Sequence, residues 1–108
     1  MIATIASGQT TSSGLDLGVT LVGSGLIALG MPAAFTGTAL SFQSSLDGGT
    51  TYQSVTDTTG SALSVTVSAG VNVHLKQDQR SLLQGIRWIR VISNASEGGA
   101  RQIVLYSV

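Results

Sequence analysis

Residues 39–55 read ALSFQSSLDGGTTYQSV, two alternating runs joined by Asp47-Gly48-Gly49, and this stretch constrains the fold more than any other. Leu40 and Phe42 fall on one face of the first run while Ser41, Gln43 and Ser45 fall on the other, the two-residue period of a half-buried strand. Asp47, Gly48 and Gly49 are residues that accept positive φ or cap a reversal with their own side chain, so the spacing predicts a β-hairpin. A chain that commits 17 consecutive residues to a hairpin, with no long helical period elsewhere, is a sheet protein.

The rest of the chain repeats the theme. Ile2 and Thr4 alternate with Ala3 and Ile5, predicting a short strand or an extended arm within residues 1–14. Leu15–Leu17, Val19–Val22 and Leu26–Leu29 are short strand candidates. The last is ended by Gly30-Met31-Pro32, where the proline excludes helical geometry at Met31. Residues Met31 to Phe35 read as an ordered turn bearing exposed or half-buried apolar groups. Leu63, Val65 and Val67 alternate with hydroxyl residues, and Val71, Val73 and Leu75 alternate with Asn72, His74 and Lys76. Gln77–Gln84 allows one helical turn. Ile86–Ile92 is apolar on both faces apart from Arg87 and Arg90, as in a central strand covered twice, and Arg101–Val108 closes the chain as a last strand. About eight short strands separated by Gly/Ser/Thr turns predict a single all-β domain over residues 1–108, an antiparallel β-sandwich or jelly roll.

Composition narrows the function classes. Charged residues make up 9% of the chain against roughly 25% in ordinary soluble domains, and Ser, Thr and Gly take their place. A surface made polar by hydroxyls meets other protein surfaces with little charge to desolvate. Formal net charge is zero, which argues against nucleic acid as a partner. All five basic residues, Lys76, Arg80, Arg87, Arg90 and Arg101, lie after residue 75 and read as solvated or ion-paired side chains on late strands. There is no cysteine, hence no disulfide and no thiolate chemistry. Leu17–Leu46 is uncharged but broken by glycines and Pro32, so it reads as buried and turn-forming chain, not a membrane span.

Catalytic chemistry finds no carrier. His74, the sole histidine, shares the polar face of its strand with Asn72 and Lys76 and reads as solvated. The five acids are scattered, and neither a catalytic pair nor a metal site has supporting spacing; no cofactor is expected. Gly23-Ser24-Gly25 and Glu97-Gly98-Gly99 resemble phosphate loops only in being glycine-rich. Asp47 reads as the cap of its turn, Phe42 and Trp88 as core, and Tyr52 as packed beside the hairpin or placed to stack on a sugar ring.

Two resemblances rest on these residues. The run from Phe42 to Val55, with Asp47, Gly48, Gly49 and Tyr52, resembles a hairpin of discoidin-like (galactose-binding-like) β-sandwiches. Gly85 to Val91, with Arg87, Trp88 and Arg90, resembles their late strand. Over nearly the whole chain, the order Thr4–Ser12, Leu15-Asp16-Leu17-Gly18, Gly30-Met31-Pro32 with Phe35 and Gly37, the hairpin, Ile86–Arg90 and Ala100–Val104 is similar to small virion proteins of tailed bacteriophages and prophages. That second resemblance implies a β-sandwich that decorates or cements a capsid shell. The implied partners are the major capsid protein and copies of the chain itself, in a homotrimer on the virion surface after synthesis in the bacterial cytoplasm. Expected contacts are Met31, Pro32 and Phe35 in the turn and Thr10 and Thr11 in the N-terminal segment. The alternative reading is a carbohydrate-binding module that contacts a host glycan through Asp47 and Tyr52.

Overall fold

A computed structural model describes residues 1–17, 26–84 and 86–107. The Val19–Val22 strand candidate and the Gly23-Ser24-Gly25 run lie outside the described residues. Among the described residues nine strands and one helix follow in order: β1 (Ile2–Ile5), β2 (Leu15–Asp16), β3 (Leu26–Gly30), β4 (Ala39–Ser45), β5 (Gln53–Ser54), β6 (Ser64–Thr66), β7 (Asn72–His74), α1 (Gln77–Leu83), β8 (Trp88–Ser93) and β9 (Arg101–Ser107). They form two antiparallel sheets, one ordered β1-β9-β3-β7 and the other β2-β8-β4-β5, with β6 continuing along the same edge of β4 as β5.

Successive strands alternate between the sheets, except that β4, β5 and β6 stay together. Interleaving of this kind is the jelly-roll arrangement, with β5 and β6 sharing the place of one strand. The period-2 residues explain the packing: Ala3, Ile5, Leu29, Ile103 and Leu105 of the first sheet meet Leu40, Phe42, Val65, Ile89 and Val91 of the second in one buried cluster. Helix α1 adds Leu83 to that cluster, and the backbone N–H of Lys76 donates to Gln79 Oε1 at 2.9 Å to start it. At seven residues it is longer than the single turn the sequence predicts.

Several expectations need correction. Of the two readings of residues 1–14 the short strand holds and the extended arm does not: β1 pairs along β9 from Ile2↔Val104 to Ile5↔Arg101, and residues 10–12 run beside β8, where the Thr10 carbonyl accepts from Ser93 N–H and the Ser12 N–H donates to the Val91 carbonyl. Met31 and Phe35 are not exposed or half-buried, at 7% and 6% accessibility; both belong to the core, because the Pro32 turn folds inward under bonds from Phe35 N–H and Gly70 N–H to the Pro32 carbonyl. Ser45 is buried with the apolar set, since its hydroxyl accepts from the turn amide of Gly49 and donates to Asp47. Strand β8 is central in its sheet but buries only Ile89, Val91 and Ser93, so Trp88 lies half-exposed on the outer face and is not a core anchor.

Candidate functional site

The two outer faces of the sandwich are built differently. On the four-stranded sheet, register brings Ile2, Val104, Gly30 and Asn72 into one cross-strand row and Tyr106, Ala28 and His74 into the next, while Thr4 faces Gln102. Among the described residues of these rows none is acidic, lysine or arginine. Ala28 and Gly30 are small, so the centre of the face is low and its apolar side chains lean over it: a Cβ on Gly30 would stand 3.3 Å from Val104 Cβ and 3.5 Å from Tyr106 Cε2. Ile2 and Tyr106 remain 48% and 46% exposed, so apolar surface here is open to solvent.

On the five-stranded sheet Arg87, just before β8, and Trp88 and Arg90 on it are engaged with their neighbours. Arg87 holds Asp16 through two bonds, Nε to Oδ1 at 2.8 Å and Nη2 to Oδ2 at 3.0 Å, and its guanidinium sits 5.7 Å from the Trp88 ring centroid. Asp16 in turn holds the Arg87 pKa above its ordinary value. Arg90 donates Nε and Nη2 to Gln43 Oε1 at 3.0 and 2.7 Å and lies 4.2 Å from the centroid of Tyr52. Gly14 and Gly49 admit these rings: a Cβ on Gly14 would collide with the Tyr52 hydroxyl, and one on Gly49 would stand 3.1 Å from Trp88 Cε3.

The hairpin loop adds two open grooves on either side of the fully exposed Leu46. The smaller, about 330 Å³, is lined by Ser44, Asp47, Thr51, Gln53 and Ser54. The larger, about 590 Å³, is lined by Ser44, Gly48, Gln84, Ile86, Arg87 and Trp88. Asp47 caps its own turn as the sequence predicts: Oδ1 accepts from Ser45 Oγ at 2.6 Å and Thr51 N–H at 2.8 Å, and these bonds lower its pKa to about 2. The two residues of the glycan reading therefore already serve the hairpin and the Arg90 stack.

A third feature lies at one end of the sandwich. Glu97, 1% exposed, accepts from Thr36 N–H and Arg101 Nε on Oε1 and from Gly37 N–H and the Ser93 hydroxyl on Oε2. Its backbone also accepts from Gly8 N–H and donates to the Gln9 carbonyl, so one residue ties three loops together. A buried carboxylate needs such compensation, and here every bond is to a donor of the fold itself. Nothing in the Glu97-Gly98-Gly99 run announces this, because its partners are distant in sequence except Ser93 and Arg101; the four-residue step to Arg101 is the one local signal. The Ile2–Val104–Tyr106 surface was more legible, since β9 alternates apolar residues on both of its faces.

Of the expected contact residues, Thr10 and Thr11 are half-buried beside β8, Pro32 is half-buried, and Met31 and Phe35 are interior. His74 is exposed, as its strand pattern predicts. Among the described residues no group of three or more His, Asp or Glu side chains gathers as a metal site would require. Comparisons with protein-family models, with curated proteins and with solved structures find no match to this chain.

Proposed function

We propose that this chain is a structural virion protein of the kind its sequence resembles, a jelly-roll domain that decorates or cements a capsid shell through protein–protein contacts, with copies of itself as neighbours. The observation that carries the reading is the outer face of the four-stranded sheet, where Ile2, Val104 and Tyr106 surround Ala28 and Gly30 without a charged side chain. Such a face meets another protein at little desolvation cost, and a solvent-exposed tyrosine is among the side chains that contribute most when buried at an interface. Many weak copies on one shell then hold together by number. Fold alone does not imply this role, so the reading rests on the face and on the whole-chain resemblance.

Mixing the purified protein with empty shells of the major capsid protein encoded in the same genome, then sedimenting them, tests it directly. Near-stoichiometric capture, lost in a Tyr106→Asp variant and kept in Tyr52→Asp, is the expected result. Free protein left in the supernatant at all concentrations would overturn the shell-binding role.

A further inference from the structure

Among the described residues four strand edges end the two sheets, and three are guarded. β2 is two residues long and carries the Asp16–Arg87 pair; β5 and β6 are two and three residues, separated by the Asp57–Gly60 turn; β7 is three residues and runs into α1. β1 differs. It has no charge, no proline and no register shift against β9, and Ile2 stands exposed on it.

Hydrogen-bond alternation fixes which of its groups are free. Met1 exchanges both backbone bonds with Leu105, so in an antiparallel ladder Ala3 and Ile5 also face β9, while the N–H and C=O of Ile2 and Thr4 point away from it. Beyond them the chain turns off, the Ala6 carbonyl accepting from Gln9 N–H. The edge therefore presents the backbone groups of two residues, spaced around Ala3.

We infer that β1 is the docking edge for a second copy of this chain, the two β1 strands pairing antiparallel about a two-fold axis at Ala3, with Ile2 of each opposite Thr4 of the other. In that register the outward N–H and C=O of Ile2 and Thr4 in both copies all find partners. Shifting it by two residues strands half of them. The arrangement is its own image, which a two-fold contact requires, and no like charges face each other. It also joins the uncharged outer faces of both four-stranded sheets into one surface across the seam. A four-residue strand buries far less than the roughly 1,200 Å² of a stable interface, so the pair is sparse in dilute solution and fills where copies are crowded.

The contact needs only the chain, so its test stands apart from shell binding. The sequence has no cysteine, which makes single-cysteine variants clean probes. Ile2→Cys and Thr4→Cys change exposed side chains and leave the β1–β9 ladder intact. Mixed at millimolar concentration under mild oxidation and resolved by mass, the two should give the mixed disulfide at least tenfold above either homodimer, because their Cα atoms sit about 5.5 Å apart in the pair. A second variant, Thr4→Pro, removes an outward N–H that β9 does not use; it should stay folded by circular dichroism and lower self-association in sedimentation equilibrium. Equal yields of the three disulfides, dominance of the Thr4→Cys homodimer, or unchanged sedimentation of the folded Thr4→Pro variant would each overturn the proposal.

Discussion

The two outer faces of this sandwich have similar backbones and opposite surfaces. On the five-stranded sheet each outward arginine is spent inside the molecule, Arg87 on Asp16 and Trp88, Arg90 on Gln43 and Tyr52. On the four-stranded sheet Ile2, Val104 and Tyr106 have small residues beside them, and among the described residues no arginine is stacked on Tyr106. One face spends its side chains on holding the fold, and the other keeps them available. The difference teaches where to look for function in this domain: at the face whose side chains the fold does not use.

The largest expected loss sets the scale for both faces and belongs to neither. Glu97→Ala leaves Arg101 and the amides of Thr36 and Gly37 without their buried acceptor, and should cost about 3–5 kcal/mol in chemical denaturation. A cost under about 1 kcal/mol would show that the loops close without it. Next comes Trp88→Ala, which removes a half-buried ring beside Gly49 and under Arg87; about 2 kcal/mol is expected, roughly half the cost of a fully buried aromatic. Gly14→Ala should cost about 1 kcal/mol by displacing Tyr52 from its place under Arg90, with a matching loss of Tyr52 ring-current shifts on Arg90 in NMR spectra.

The opposite face should invert that ranking. Tyr106→Ser is expected to move stability by less than about 0.5 kcal/mol, as for an ordinary surface position, while weakening shell capture tenfold or more. If Tyr106→Ser destabilises the fold as much as Trp88→Ala, or if Trp88→Ala is the variant that abolishes capture, the division of labour between the faces is wrong.

Those predictions also mark how far the sequence could be read. The β4–β5 hairpin, β6, β7 and the inward set of β1 were legible because a two-residue period records which face is buried. Trp88 was not, because a strand apolar on both faces looks the same whether its outer face meets another layer or an arginine from its own neighbourhood. Met31 and Phe35 read as exposed or half-buried because a proline turn implies surface. Hydrogen bonds from Gly70 and to the Val71 carbonyl, far along the chain, fold that turn inward. Glu97 depends on Thr36 and Gly37, some sixty positions away, and periodicity carries no record of such distance. The open face was half-legible: β9 shows outward Val104 and Tyr106, but that Gly30 and Ala28 lie beside them follows only from the sheet order β9-β3.

The smallest effect separates the faces by pH. Two carboxylates in loops of the five-stranded sheet, Asp47 and Asp57, have lowered pKa values: Asp47 to about 2 through the Ser45 hydroxyl first and then Thr51, Asp57 through Thr59. A lowered value means the charged form is the one the fold binds. These bonds therefore contribute fully above the ordinary carboxylate range near 4 and are lost as pH falls toward 2. Both carboxylates lie in surface turns, Asp47 exposed and Asp57 half-buried, so global stability should barely register the change. The local signature is sharper: protection of the Gly49, Thr51 and Thr59 amides, taken against the intrinsic exchange rate at each pH, should fall between about pH 4 and 2, while Val104 and Tyr106, which face no carboxylate in their rows, keep theirs. Asp47→Asn should abolish the pH dependence at Thr51 and leave that at Thr59. If Thr51 and Tyr106 lose protection together, the hairpin loop and the open face unfold as one unit, and the five-stranded sheet does not hold its loops independently of the other layer.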